Sequence, residues 1–292
     1  MLVHDRPLVH LDDGFRGRRS VAQFESAFDL SLVTRQQSRG IQRAASGTAV
    51  ARKLERLLED YHAVLAEGAD LRQSLSGTLR IGHYAPIAPA FLPGTLATCL
   101  PDSNTVDLHL EECDNDGAQK GLLEGCFDII LFVSEDVRPA IGFDVLVKAP
   151  SYCLLPAEHS LADQAAMRLE EIAREPLVVL DRPVAATYYT DLFDKQEREA
   201  RVVAYATSTE MVRNLVGAGL GCAILNMQPR SDTTYSGAQV VARPISDPLP
   251  PLTLSIGYDK MRPRALVRHV VDACLAGFRG AGAGKYVISA RK

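Results

Sequence analysis

The strongest constraint on the fold is a regular alternation of strand-like and helix-like segments between residues 78 and 278. In the first part of this region, helical segments separate three strand-like segments, which lie at residues 78–83, 105–113 and 127–133. Residues 129–133 are all apolar, which is typical of a strand covered on both faces of its sheet. Because alternating strands and helices form α/β units, we predict such a unit here.

The same alternation is repeated further along the chain. Strand-like segments lie at residues 151–156, 176–181, 201–207 and 222–226, and helical segments lie around 161–174, around 187–197 and at 209–217. One more strand is predicted at residues 252–258, and a final helix at 262–278. We therefore predict two α/β groups with mainly parallel sheets, followed by a mobile tail.

A long helix is predicted ahead of the first strand, at residues 48–75. Its apolar residues follow one another at alternating steps of four and three, and they are Val50, Leu54, Leu57, Tyr61, Val64, Gly68, Leu71 and Leu75. This heptad spacing puts one narrow apolar stripe along a helix. The stripe predicts pairing with a second copy in a homodimer or homotetramer; the alternative is packing against the globular part of the same chain.

Composition and charge exclude several classes of protein. The 292-residue chain carries a net charge of −4, which argues against a globally basic nucleic-acid binder. A local basic segment is present nevertheless, because residues 14–43 contain six arginines and two acidic residues. No apolar run is long enough to span a membrane, and the N-terminal residues lack the features of a signal peptide. We expect no membrane contact and a cytoplasmic location.

The sequence carries no motif for catalysis or cofactor binding. The glycine-rich segment at residues 217–221 follows a helix, whereas a dinucleotide-binding fingerprint follows a strand and opens a helix. The seven histidines show no metal-ligand spacing, and there is neither a nucleophile elbow nor a P-loop. The six cysteines lie far apart, so we expect free thiols, with a redox-sensing pair as the alternative. We predict no enzymatic activity, no catalytic residue, no metal and no cofactor.

The junction between the strand at residues 201–207 and the following helix has the spacing of a capping box. Thr207 and Glu210 form the pattern T-x-x-E, in which Thr207 would cap the helix. Free backbone N–H groups and the positive end of the helix dipole lie at such a junction, so it can also hold an anion. The residues alone leave both interpretations open.

Several segments resemble the landmarks of LysR-type transcriptional regulators, in the order found in that family. They are SGTLRIG (76–82), LLEGCFDIIL (122–131), CLLPAEHSLA (153–162), EPLVVLD (175–181) and VGAGLGCAIL (216–225). Upstream, residues 23–42 resemble the end of the family's recognition helix and its wing, and residues 46–58 resemble the start of its dimerising linker helix. The resemblance covers the chain from about Ser20 to Phe278.

This resemblance implies an effector-controlled regulator with a two-lobed α/β domain like that of periplasmic binding proteins. The implied domains are a partial winged helix-turn-helix at 1–45, a linker and dimerisation helix at 46–76, an effector-binding domain at 77–280 and a flexible tail at 281–292. Lobe I would comprise residues 78–148 and 253–278, and lobe II residues 149–252. The effector would bind between the lobes to Tyr84, Ala85, Pro86, Ile87, Phe132, Val133, Ser134, Arg182, Pro183, Thr207, Ser208 and Thr209.

Two features bear on the chemistry of that effector. The hydroxyls of Thr207–Thr209 and the helix N-terminus suit an acidic or strongly polar molecule, for which Arg182 would supply a cation. The loop at residues 85–88 is Ala-Pro-Ile-Ala rather than serine-rich, which indicates a ligand more apolar than a simple dicarboxylate. We expect a polar small molecule with one anionic end at the start of helix 209–217.

The first nineteen residues depart from the family, since they show neither apolar helical periodicity nor a small-residue turn. We therefore expect a truncated or degenerate helix-turn-helix and weak, mostly non-specific DNA binding. Basic and polar side chains remain that could contact DNA, namely Arg16, Arg18, Arg19, Arg35, Gln36, Ser38 and Arg39. The alternatives are a small-molecule sensor that no longer reads DNA sequence and, more remotely, an enzyme on the same scaffold.

Overall fold

The structure is a computed structural model, which describes residues 14–36, 40–69, 75–84, 88–100, 105–194, 200–261 and 264–288. The chain divides into two compact units, residues 1–65 and residues 66–292. Across the described residues, no helix combines the length and the apolar character that crossing a membrane requires.

The described residues of the N-terminal unit form two helices separated by two antiparallel strands. Its elements are helix α1 (Gly14–Phe28), strands β1 (Val33–Gln36) and β2 (Gly40–Arg43), and helix α2 (Ala45–Ala69). The strands are antiparallel, with Val33 opposite Arg43. The Glu25 carboxylate accepts hydrogen bonds from the N–H groups of Leu32, at 2.7 Å, and of Val33, at 3.2 Å. The end of α1 is thereby joined to the start of the hairpin.

The start of α2 packs closely on the same hairpin. Ala44 donates its N–H to the carbonyl of Leu32 at 3.0 Å. A Cβ atom at Gly47 would lie 1.9 Å from that same carbonyl oxygen, so this position needs glycine. The order of the described elements in this unit is helix, hairpin and long helix.

Both helices of this unit differ in extent from the sequence expectation. Helix α1 begins at Gly14, so residues 14–19 are helical although their sequence shows no apolar helical periodicity. Helix α2 is described as far as Ala69, and residues 75–76 are not helical, so the prediction that the helix reaches Leu75 is wrong. Leu75 instead packs beside the apolar core of lobe I. Leu71 lies outside the described residues.

Lobe I is built on a five-stranded sheet with the order β4-β3-β5-β12-β6. The strands are β3 (Gly77–His83), β4 (Val106–Glu112), β5 (Ile129–Val133), β6 (Ile141–Ala149) and β12 (Leu252–Asp259), and the helices are α3 (Ala88–Cys99), α4 (Asn115–Leu123) and α8 (Ala265–Phe278). Ile129 and Leu131 face the cluster that contains α3 and α8, whereas Ile130 and Phe132 face the cluster that contains α4. Strand β5 is therefore covered on both faces, as its apolar sequence predicts.

The described residues of lobe II form two small sheets and three helices. Its strands are β7 (Tyr152–Pro156), β8 (Pro176–Leu180), β9 (Arg201–Ala206), β10 (Ala223–Leu225) and β11 (Val240–Pro244), and its helices are α5 (Leu169–Ile172), α6 (Pro183–Asp194) and α7 (Thr209–Gly217). The bounds predicted for α7 are confirmed. The helix predicted around residues 161–174 is wrong over most of its length, because only α5 is helical there.

The prediction of mainly parallel sheets is also wrong. Strands β3, β4 and β5 pair in parallel, as do β8 and β9. Strand β12 is antiparallel to both β5 and β6, and β7 is antiparallel to both β10 and β11. The return of the chain to lobe I through β12 reverses the strand direction. Strands β6 and β11, which were not predicted from the sequence, supply partners for the antiparallel pairs.

The C-terminal segment packs against lobe I through Val287, and Ile288 packs beside the core of lobe II. Residues 280–285 form a 3-10 helix, and the Tyr286 ring is buried beside Phe91 and Phe278, with centroid separations of 6.1 and 5.8 Å. The Tyr286 carbonyl also accepts a hydrogen bond from Gln228 N–H at 3.0 Å. The expectation of a flexible tail at 281–292 is therefore wrong as far as residue 288, because an aromatic side chain anchors the segment. Residues 289–292 lie outside the described residues.

Candidate functional site

An apolar cavity lies between the two lobes, where several strand ends meet the start of α7. Its lining residues are mostly aliphatic or aromatic, and they are Tyr84, Val133, Leu180, Tyr189, Thr209, Leu225, Asn226, Met227, Leu252 and Leu254. The centre of a water-sized sphere can occupy about 50 Å³ of it. A concave, largely apolar space with a few polar groups is typical of a small-molecule site. We call it the apolar cavity.

The apolar cavity contains a polar atom that is not satisfied by the protein. The hydroxyl oxygen of Thr209 is buried and has no hydrogen-bond partner within the described part of the chain. Tyr189, by contrast, donates its hydroxyl to the side-chain oxygen of Asn226 at 2.9 Å. Since buried polar atoms are nearly always paired in native proteins, the Thr209 hydroxyl is available for a bound molecule.

Asn226 also belongs to a hydrogen-bond network at the segments that connect the lobes. Its side-chain nitrogen lies 3.0 Å from the carbonyl of Ala149, 3.2 Å from the Ser151 hydroxyl and 3.3 Å from the Tyr188 hydroxyl. Tyr188 donates its single proton to the carbonyl of Pro250 at 2.5 Å, so Ser151, at 2.7 Å, donates to Tyr188. The chain passes from β6 to β7 at residues 150–151 and from β11 to β12 after Pro244. The network therefore joins both connecting segments to one buried asparagine.

The network contains no carboxylate, amine, guanidinium or imidazole group. Burial raises the pKa of Tyr189 well above its ordinary value, and neighbouring tyrosines raise it further. The Tyr189 hydroxyl therefore keeps its proton. We call Asn226, Ser151, Tyr188 and Tyr189 the neutral network.

A second connection between the lobes is charged. The guanidinium of Arg182, two residues after β8, lies 2.5 Å from the Glu112 carboxylate at the end of β4. It also donates to the Cys113 carbonyl at 2.8 Å, and its carbon atom lies 4.9 Å from the centre of the Tyr84 ring. The Arg182 side chain is 12% exposed and that of Glu112 is 59% exposed. We call these two residues the charged pair.

His83 lies beside the charged pair and is half-buried. Burial lowers its pKa, Glu112 raises it and Arg182 lowers it, with burial as the largest effect and a net lowering from 6.5. The imidazole is therefore neutral at pH 7 and adds no cation to the site. One ring nitrogen, Nδ1, is buried and has no hydrogen-bond partner among the described residues.

The start of α7 is capped one residue later than the sequence pattern predicts. Ser208, and not Thr207, is the N-cap, and its hydroxyl accepts from Met211 N–H at 3.5 Å. Glu210 therefore falls in the second helical position and pairs with the buried Arg213 at 3.0 Å. Thr207 as the cap and Thr207–Glu210 as a capping box are thus wrong. The carboxylate does turn away from the lobe interface, as expected.

The three hydroxyl residues of this junction do not share one environment. Thr209 lines the apolar cavity, whereas Thr207 and Ser208 line a separate surface groove with Asp181, Tyr205, Ala206 and Met211. The expected convergence of three hydroxyls on one anion is therefore not seen. The chain direction explains the split, because Thr207 and Ser208 still belong to the extended segment while Thr209 begins the helix.

The remaining cleft residues predicted from the sequence fall into three groups. Tyr84 and Val133 line the apolar cavity, whereas Ala85, Pro86 and Ile87 lie outside the described residues. The other three do not line the cavity: Phe132 packs towards α4, Ser134 pairs with Ser255 at 2.8 Å, and Pro183 lines a second cleft beside α6. Sequence reasoning missed seven other lining residues, namely Leu180, Tyr189, Leu225, Asn226, Met227, Leu252 and Leu254. Leu180 and Leu225 end strands and Leu252 begins one, so position at a strand end is the signal for these three.

A larger, more open cleft lies next to α6 and is acidic. It measures about 800 Å³ by the same criterion as the apolar cavity. Its charged residues are Asp114, Asp116, Glu135, Asp136, Arg138 and Asp191, and Arg138 pairs with Asp116. We call it the acidic cleft. The described residues contain no cluster of ligands able to hold a metal ion.

The predicted DNA-contacting residues belong to the N-terminal unit. Helix α1 contains Arg16, Arg18 and Arg19, and strand β1 contains Arg35 and Gln36. Ser38 and Arg39 lie outside the described residues.

Comparison with known proteins gives the family. The LysR substrate binding domain model matches residues 72–279, which is most of the chain. The chain belongs to the LysR family. It is therefore a transcriptional regulator, and its two-lobed α/β domain is the effector-binding domain of a ligand-controlled, DNA-binding factor.

Similar LysR regulators include two curated proteins and two solved structures. The regulator AlsR of Bacillus subtilis is 24% identical over 71% of this chain and 70% of its own length, and YnfL of Escherichia coli is 28% identical over 71% of each chain. HinK, a LysR regulator of Pseudomonas aeruginosa, is 26% identical over 89% of this chain and 87% of its own, with a TM-score of 0.66. A full-length variant of OxyR from that organism, at 21% identity and a TM-score of 0.68 over 88% of this chain and 84% of its own, shares the fold.

Proposed function

We propose that this LysR-family regulator is controlled by a small molecule that binds in the apolar cavity. The observation that carries the proposal is the position of Asn226 and Tyr189, which line the cavity and belong to the neutral network. A molecule that contacts them would act on the same side chains that hold both connecting segments. Binding would then favour one arrangement of the lobes over another, because a ligand shifts a conformational equilibrium by its difference in affinity.

The N-terminal unit would transmit this change to DNA. We propose that α1 and the β1–β2 hairpin contact DNA, and that α2 pairs with a second copy of the chain. Leu57 and Tyr61 on the predicted stripe of α2 are 64% and 57% exposed in the single chain, which favours a partner helix. Arginines on α1 and β1 would supply phosphate contacts, which position a protein on DNA without reading its sequence. We further propose that the chain performs no chemistry.

A transcriptional reporter tests the proposal. The reporter would carry the intergenic DNA next to the gene and would be assayed under a panel of growth conditions that change its output. Replacing Leu225 with Phe fills the apolar cavity and should remove the response to those conditions. Leu220→Phe is the matched control, because Leu220 is 45% exposed and does not line the cavity, so it should respond like the wild type. A full response from the Leu225 variant would reject the cavity as the regulatory site.

Oligomer formation has its own test. Replacing Leu54 and Leu57 with Glu introduces charge into the stripe and should dissociate the assembly, as measured by light scattering at micromolar concentration. A wild-type protein that is already monomeric under these conditions would reject the role proposed for α2.

A further inference from the structure

The walls of the apolar cavity restrict the charge of any molecule that enters it. Of the described residues that line it, none carries a formal charge. Moving a carboxylate from water into such surroundings is unfavourable unless a cation or several donors replace its hydration. The described side chains that line the apolar cavity include no cation that could replace this hydration.

The cation that packs against the cavity wall is already neutralised. Arg182 lies over Tyr84, a lining residue, but its two terminal nitrogens contact Glu112 and the Cys113 carbonyl. His83 is neutral at pH 7 because burial lowers its pKa. The acidic cleft beside α6 adds negative potential on the same interface. A carboxylate ligand would therefore have to displace Glu112 before it met the positive charge of Arg182.

The polar atoms of the cavity fit a ligand with one hydrogen-bonding group. Asn226 and Tyr189 use their donors within the neutral network, whereas the Thr209 hydroxyl is unpaired among the described residues. Its hydroxyl can both donate and accept, so either an amide or an alcohol can satisfy it. With the ~1.4 Å radius of a water-sized sphere added on each side, the cavity suits a molecule of about one ring.

We propose that the effector is an uncharged, mainly apolar small molecule whose single polar group binds Thr209. This inference rests on the proposed function and deepens it by naming the class of ligand. It replaces the sequence-based expectation of an anionic end at the start of α7. It also gives Glu112 a role in ligand specificity, because its carboxylate pairs with Arg182, the cation that an acidic ligand would need.

Benzamide and benzoate form a matched pair of probes for this inference. They have nearly the same shape, but benzamide is neutral and benzoate is an anion at pH 7. Calorimetry on the full-length protein should show benzamide binding at least tenfold more tightly than benzoate. Thr209→Val should weaken benzamide binding at least fivefold, since it keeps the shape and removes the hydroxyl. Ser208→Ala is the control, because Ser208 caps α7 without lining the cavity, and it should not change benzamide affinity.

A second variant tests the role of the charged pair. Glu112→Gln keeps the side-chain length but leaves Arg182 uncompensated, so it should raise benzoate affinity and narrow the preference for benzamide. An unchanged preference in this variant would overturn the role assigned to Glu112.

The remaining outcomes separate this inference from the proposed function. Benzoate binding as tightly as benzamide to the wild type, and losing affinity in Leu225→Phe, overturns the inference and leaves the cavity as the site. Benzamide binding that is insensitive to Thr209→Val also overturns it. If neither probe binds but Leu225→Phe abolishes the reporter response, the ligand class is wrong and the site is right. If neither probe binds and that variant still responds, both proposals fail.

Discussion

Two connections join the lobes of this regulator, and they are built in opposite ways. The neutral network is buried, with Asn226 and Ser151 only 4% and 3% exposed, and it links uncharged groups. The charged pair lies at the edge of the interface, where solvent reaches Glu112. Buried hydrogen bonds are costly to break because the remaining partner stays buried and cannot bond to water. Exposed ion pairs, by contrast, are weakened by water and salt. The neutral network should therefore determine the stability of the domain, and the charged pair should determine which ligands it binds.

The largest effect is expected from Asn226→Ala. This change removes the partner of Tyr189 and a donor to the Ala149 carbonyl, and both partners are left buried. The free energy of unfolding should fall by about 2–4 kcal/mol. Urea denaturation of the full-length protein measures it. A loss below about 0.5 kcal/mol would show that the network does not hold the lobes.

A smaller effect is expected from Tyr189→Phe. The ring remains in the core of lobe II and only the hydroxyl is lost, so the measurement isolates one hydrogen bond of the network. The free energy of unfolding should fall by about 1 kcal/mol. If this variant loses as much stability as Asn226→Ala, the other contacts of Asn226 contribute nothing.

The charged pair should contribute less than the neutral network to the free energy of unfolding. Glu112→Gln should lower the free energy of unfolding by about 0.5 kcal/mol or less, because Glu112 is largely exposed. The difference from the wild type should disappear in about 1 M salt, where the screening length is only about 3 Å. The effect of Asn226→Ala should persist there. Equal salt sensitivity of Glu112→Gln and Asn226→Ala would contradict the expectation that salt weakens the charged pair but not the neutral network.

The smallest effect is on the pH dependence of stability. It arises from His83, which lies beside the charged pair. The pKa of folded His83 lies below its ordinary value of 6.5, so in this range the unfolded chain binds more protons than the folded chain. The contribution of neutral His83 is therefore complete above pH 6.5 and is lost as the pH falls below it. Glu112 opposes the shift and Arg182 adds to it. His83→Gln should reduce the fall in melting temperature between pH 7 and pH 5.5, and an unchanged slope would assign the fall to other groups.

The sequence predicted helix α7 and the strands around it, but not the atoms that meet at their junction. The T-x-x-E pattern places the cap at Thr207, whereas the chain turns into the helix after Ser208. Either hydroxyl can cap a helix, and the choice depends on the residue at which β9 ends. Similarly, the pairing of Arg182 with Glu112 spans seventy residues of sequence and leaves no local pattern. The same is true of Asn226, whose side-chain partners lie at residues 149–151 and 188–189.

Sequence alone determined the family and most of the strands and helices of the two lobes, although not β6 or β11. These features depend on periodicity and local motifs, which report whether a residue faces a core whatever that core contains. Only the tertiary structure decided that Thr209 faces the apolar cavity while Ser208 does not, and that Arg182 meets a carboxylate of its own chain. Such pairings depend on how distant elements are placed against each other, and a one-residue shift at a strand end changes which side chain enters the cavity.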